Sequence, residues 1–153
     1  MKARDVMTPN PTTRGPEDNL KSVLEVMRSE NVGIVPITEG NGDQKIAGVV
    51  TDRDIALHLG QRDRRPSEVS SSECMTTDVV SVTPDADIRE VSRKMQEAQV
   101  RRILVTEGKR LVGVISTADL ARASAQSDRD QVGEEVEKVM EKVSEDTGSR
   151  PRV

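Results

Sequence analysis

A chain of 153 residues can form one compact domain or two small halves that share a core. Its 23 basic and 27 acidic residues leave a formal charge of −4, which offers no basic surface to nucleic acid or to an anionic membrane. It contains no Phe, Tyr or Trp, so aromatic platforms for stacking on single strands are excluded as well. No apolar run reaches the length of a membrane span, and Met1-Lys2-Ala3-Arg4-Asp5 leads into no signal-peptide apolar region. A single cysteine forms no internal disulfide, which fits a reducing cytoplasm. The core must come from Val, Ile, Leu, Met and Ala. At 33% the hydrophobic fraction is low for a globular monomer, so we expect polar tails that dilute the count and a second subunit that completes part of the core.

In chain order, a short extended piece, Thr12-Thr13-Arg14, precedes Pro16 and an acidic helix start. The spacing of Leu20, Val23, Leu24 and Met27 then predicts an amphipathic helix. A strand from Ile34 to Thr38 follows, then the turn sequence Gly40-Asn41-Gly42-Asp43, then a strand from Ile46 to Val50. Ile55-Ala56 opens a second apolar helix face. The segment from Gly60 to Glu73, with Arg62, Arg64, Arg65 and Pro66, reads as a polar linker. After it the pattern returns. Met7-Thr8 reappears as Met75-Thr76, 68 positions on (from 7 to 75), and the same offset pairs Pro16 with Pro84, Leu20 with Ile88, Val23 with Val91 and Met27 with Met95. Val80-Ser81-Val82 is the second extended piece, and Ile88, Val91, Met95 and Ala98 form the second helical stripe. Strands from Ile103 to Thr106 and from Leu111 to Ile115 complete the copy. Between Gly48 and Gly113 the offset is 65, so the first copy carries three extra residues, which belong in its Gly40–Asp43 turn.

Each copy is therefore a β-α-β-β-α unit, and about 60 residues is marginal for an independent core. The fold expected is α/β (α+β), with two such units packed face to face about a pseudo-two-fold axis. The divisions are 1–59 for the first repeat, 60–73 for the linker, 74–123 for the second repeat and 124–153 for a charged tail. Ser127 to Glu145 reads as a helix with Val132, Val136, Val139, Met140 and Val143 along one stripe, stabilised by a neighbouring subunit or by its own domain. Asp146 to Val153 reads as disordered.

The stretch that both copies share ends each unit. Gly48-Val49-Val50-Thr51-Asp52-Arg53-Asp54 and Gly113-Val114-Ile115-Ser116-Thr117-Ala118-Asp119 each run Gly, two β-branched residues, a hydroxyl residue, two variable positions and Asp. Thr51 and Ser116 stand where a strand hands over to a helix, and the free N–H groups and dipole there favour an anion such as phosphate. Asp54 and Asp119 offer acceptor oxygens for a pair of sugar hydroxyls. A purely structural account is also open: Thr-x-x-Asp and Ser-x-x-Asp are capping boxes, whose acid closes the helix start. Two copies, each with the same glycine, favour binding.

Other residues carry no comparable chemistry. His58 is the only histidine, and no Cys/His cluster accompanies it, so no metal site is expected and a surface or interface role is. Cys74 takes the place of Val6 in the repeat and reads as a small buried apolar residue. The methionines fall mainly at helical core positions. Gly40-Asn41-Gly42 lacks the length and the Lys-Ser/Thr ending of a P-loop. With no recognisable nucleophile beside a base, the chain reads as a non-enzyme.

The repeat with its Gly-x-x-Ser/Thr-x-x-Asp ending resembles the cystathionine β-synthase (CBS) domain, here as the tandem pair called a Bateman module. Asp5-Val6-Met7-Thr8-Pro9, Val35-Pro36-Ile37 and Gly48 to Asp54 carry the resemblance, which covers roughly residues 1 to 123. It implies a regulatory module, an energy or metabolite sensor, that binds adenosyl ligands (AMP, ADP or ATP, with S-adenosylmethionine possible in the family) in two clefts between the repeats. No cofactor is implied. Carried over by position, one cleft combines Ser116, Asp119, Arg101 and Arg102 with Thr13, and the other combines Thr51 and Asp54 with Val80, Ser81 and Val82. The first copy has Gly33-Ile34 where the second has Arg101-Arg102, so the Asp119 cleft should tolerate a charged phosphate tail and the Asp54 cleft an uncharged adenosyl group. The resemblance further implies a homodimer and an unidentified regulated protein as partners. A constitutive dimeric scaffold without ligand control is the alternative.

Overall fold

The first long helix begins where a side chain can satisfy its free N–H groups. In the computed structural model, which describes residues 1–40, 42–126 and 130–145, the Asn19 side chain accepts from the Ser22 N–H at 3.0 Å. The elements run α1 (Ala3–Val6), β1 (Thr8–Pro9), α2 (Leu20–Glu30), β2 (Ile34–Glu39), β3 (Lys45–Thr51) and α3 (Asp52–Gly60). After a 3-10 turn at Pro66–Glu68 come α4 (Ser71–Cys74), β4 (Ser81–Val82), α5 (Ile88–Ala98), β5 (Arg102–Glu107), β6 (Arg110–Ser116), α6 (Thr117–Gln126) and α7 (Asp130–Glu145). The chain thus carries the mixed α/β architecture, and in each copy the expected helix, two strands and helix follow in that order.

Two compact units emerge. The first contains Pro11–Val79 with Lys109–Leu111. In it α2 buries Leu20, Val23, Val26 and Met27 against Val35, Ile37, Val50, Ile55 and Val69. Strands β2 and β3 are antiparallel, with Ile34 opposite Thr51 and a bulge after Ile37. Their turn needs left-handed backbone at Gly40 (φ 83°) and Gly42 (φ 85°), which glycine adopts without strain. The expected extended piece at Thr12–Arg14 is reduced to one parallel bridge, Arg14 to Ile37.

The second unit contains Met1–Asn10, Val80–Gly108 and the described residues from Val112 onward. Strand β4 runs parallel to β5, with Ser81 opposite Leu104, and β1 pairs antiparallel with β6. Its core joins Val82, Ile88, Val91, Met95, Ile103, Val105, Ile115 and Leu120 to Val136, Val139 and Val143 of α7. The tail helix therefore packs on its own unit. Met140, assigned by sequence to the same stripe, is 43% exposed, whereas Val139 is fully buried. The side chain of Val132, the stretch from Asp146 to Val153 and Asn41 lie outside the described residues.

The arms that open each repeat contribute to the other repeat's unit. The Ala3 N–H donates to the Ala86 carbonyl at 2.8 Å and the Arg4 N–H to Pro84 at 3.0 Å. The equivalent bonds in the first unit run from Ser71 to Asp18 at 2.7 Å and from Ser72 to Pro16 at 3.0 Å. Both repeated glycines serve these arms. A Cβ at Gly48 would stand 2.7 Å from the Thr76 carbonyl oxygen, and one at Gly113 would stand 2.5 Å from Met7 Sδ and 3.1 Å from the Thr8 oxygen. The glycine and the Met-Thr pair are thus two halves of one contact. The glycine whose recurrence favours binding on sequence alone is therefore accounted for by packing.

The segment expected as a plain linker is also structured toward its end. Val69 is fully buried in the first core, and Ser70 and Glu73 form a reciprocal capping box that opens α4. One apolar residue among polar ones leaves no periodicity to detect.

Candidate functional site: two Ser/Thr–Asp helix starts

Strand β3 delivers Thr51 to the first residue position before α3. The Asp54 N–H donates to Thr51 Oγ1 at 3.0 Å, and the Thr51 N–H donates to Asp54 Oδ2 at 3.0 Å. In the second unit the Asp119 N–H donates to Ser116 Oγ at 3.2 Å, and the Ser116 N–H reaches Asp119 Oδ2 at 2.7 Å. Both acids are thus engaged in capping boxes, and each spends one oxygen on its helix start. A matching backbone bond locks each strand end: Asp52 N–H to Gly33 O at 3.1 Å, and Thr117 N–H to Arg101 O at 3.0 Å.

The two starts differ at the two variable positions between the hydroxyl residue and the acid. In α3, Asp52 accepts from the Arg53 N–H at 2.8 Å, so the first turn carries a second carboxylate and has another donor occupied. In α6 the equivalents are Thr117 and Ala118. The other oxygen of Asp119, Oδ1, accepts from the Arg122 guanidinium; the Asp119 side chain is 10% exposed and that of Arg122 68%. The position equivalent to Arg122 in α3 is Leu57, 43% exposed. Aligning the two copies sets T-D-R-D against S-T-A-D, and this was the signal that could have found the difference.

The remaining predicted residues fall into the units by strand pairing. The bridge from Arg14 to Ile37 holds Thr13 in the unit of Thr51 and Asp54, where Thr13 Oγ1 lies 3.4 Å from Gln44 Oε1. Val80, Ser81 and Val82 share their unit with Arg101, Arg102, Ser116 and Asp119; the Leu104 N–H donates to the Val80 carbonyl at 3.2 Å. The predicted pairing joined Thr13 to Ser116 and Asp119, and Val80–Val82 to Thr51 and Asp54. Within a single unit these sets are not brought together, because parallel pairing ties each extended piece to its own repeat. Arg101 is exposed and Arg102 half-buried.

Cys74 is half-buried rather than buried; burial, aided by the negative charge of Asp54, pushes its thiol up to about 11. His58 Nδ1 lies 3.4 Å from an Arg62 nitrogen, and its Nε2 is buried without a hydrogen-bond partner among the described residues. No group of three or more His, Cys, Asp and Glu side chains among the described residues could hold a metal ion. None of the described helices is long and apolar enough to cross a membrane.

Two α/β repeats, each ending in a Ser/Thr–Asp helix start, define a tandem-repeat protein. The CBS domain model matches residues 3–60 and again residues 70–126, and the chain belongs to the CBS domain family. It is similar to the uncharacterised protein YlbB of Bacillus subtilis, at 34% identity over 128 residues, 84% of this chain and 85% of that protein. It is also similar to hypoxic response protein 1 of Mycobacterium tuberculosis, at 33% identity over 78% of this chain and 82% of that one. A crystal structure of hypoxic response protein I with two coordinated zinc ions superposes with a TM-score of 0.70 at 33% identity, over 80% of this chain and 98% of that chain. The CBS domain pair of protein MJ0100, in complex with 5′-methylthioadenosine and S-adenosyl-L-methionine, shares the fold at a TM-score of 0.71 and 22% identity, over 82% of this chain and 96% of that chain.

Proposed function

We propose that this chain is a non-enzymatic, cytoplasmic regulatory module that binds adenosine nucleotides of the AMP, ADP and ATP class, or S-adenosylmethionine. The observation that carries the proposal is the recurrence in both units of one helix start with a hydroxyl, a carboxylate and backbone donors in the same arrangement. The adenosyl compounds in the MJ0100 pair support the ligand class. The residues proposed to contact ligand are Thr13, Thr51, Asp54, Val80, Ser81, Val82, Arg101, Arg102, Ser116 and Asp119. Two chains form a homodimer whose state the ligand biases toward a regulated partner. Such a bias can be no larger than the ligand's difference in affinity for the two states.

The test is calorimetric titration against AMP, ADP, ATP and S-adenosylmethionine, with thermal melts alongside. Ligand at about 100 times Kd should add roughly 2.7 kcal/mol per site and raise the melting temperature by about 5–10 °C. Saturable binding at two sites is the expected result, with Asp54→Ala removing one and Asp119→Ala the other. A second reading, a constitutive dimeric scaffold, draws on the capping boxes, which give both acids a structural role without any ligand. Absence of binding by all four compounds in a chain that still dimerises would establish that reading instead.

A further inference from the structure

We infer that Arg122 and Leu57 set how strongly each site prefers a phosphorylated over an uncharged adenosyl ligand; this deepens the nucleotide reading and rests on it. With one oxygen of each motif acid committed to its helix start, only Oδ1 remains for a ribose hydroxyl. At Asp119 that oxygen is already held by the Arg122 guanidinium, over a carboxylate that is otherwise nine-tenths buried. A sugar that takes Asp119 Oδ1 competes there with Arg122. An uncharged nucleoside gains nothing in return. A nucleoside phosphate keeps the attraction of the displaced cation, which stays tethered on the same helix, one turn from Asp119 and nearly two from Ser116. At Asp54 the corresponding helix position is the uncharged Leu57, and Asp52 adds a second negative charge beside the acid. There an uncharged adenosyl group displaces no ion pair from that helix position, and a phosphate meets carboxylates. The repeat has thus written opposite preferences into one helix position.

Exchanging the two residues tests this. Both side chains are exposed, so the exchange disturbs no core. Adenosine and AMP are titrated into Arg122→Leu in an Asp54→Ala background, and into Leu57→Arg in an Asp119→Ala background. Each is compared with its background protein, with circular dichroism checking the fold. Removing Arg122 should tighten adenosine by about two- to fivefold, the scale of an exposed ion pair, and lower the preference for AMP over adenosine. Installing Arg at Leu57 should weaken adenosine and raise that preference. Preferences that stay constant, or that move in the same direction in both swaps, overturn this inference and leave the nucleotide reading standing. Failure of the unsubstituted protein to bind either probe overturns both.

Discussion

At Gly48 the absence of a side chain is a matter of contact, since its φ lies outside the left-handed region. The Val49 N–H donates to the Thr76 carbonyl at 2.9 Å and the Thr76 N–H returns a bond to Val49 at 2.8 Å, so this carbonyl cannot retreat without breaking the bridge. Gly48→Ala should therefore cost about 1–3 kcal/mol, the range of overpacking. Gly60, the last residue of α3, has nothing within 4 Å of a built Cβ. Gly60→Ala should leave stability unchanged or raise it by up to about 1 kcal/mol through helix propensity. Urea denaturation of the pair separates the two accounts of the repeated glycine. Equal stability of Gly48→Ala and the parent would return that glycine to the ligand site.

The helices show which kind of information a sequence displays. Leu20, Val23 and Met27 were legible as a buried stripe because helical spacing places them on one face, and α2 buries them. The capping boxes were legible for the same reason, since both partners lie three residues apart. Helix α7 was legible as amphipathic, but periodicity does not say which surface an apolar face will meet. Val139 and Met140 are adjacent in the chain, and only their contact with the second core distinguishes them. Val139→Ala should cost about 1–3 kcal/mol by leaving a cavity, and Met140→Ala less than about 0.5 kcal/mol. These values should hold at protein concentrations that dissociate any dimer. Concentration-dependent loss in Val139→Ala would move the α7 contact to a neighbouring subunit.

At the scale of the whole chain, the exchange of arms was the feature least visible beforehand. The 68-residue offset reveals two copies, and a copy read along the sequence naturally keeps its own first ten residues. Pairing between Ala3 and Ala86, or Ser71 and Asp18, is long-range and leaves no local pattern. Even so, the polar character of Gly60 to Glu73 concealed Val69, which donates nothing to solvent and accepts the Leu20 N–H at 2.9 Å through its carbonyl. The exchange predicts where damage will travel. Ala3 is fully buried, and Ala3→Leu should overpack its seat by about 1–3 kcal/mol. Hydrogen exchange should then quicken by roughly 5- to 30-fold or more in α5, β5 and β6, in the second repeat, while α2 and β2 keep their protection. A substitution within the first repeat would thereby loosen the second. Ser71→Leu should do the reverse, since Ser71 is as buried and its Oγ donates to the Asp18 carbonyl at 2.7 Å. If Ala3→Leu instead loosened α2 and spared α5, each repeat would be keeping its own arm, and the reciprocal seats of Met7-Thr8 on Gly113 and Met75-Thr76 on Gly48 would be wrong.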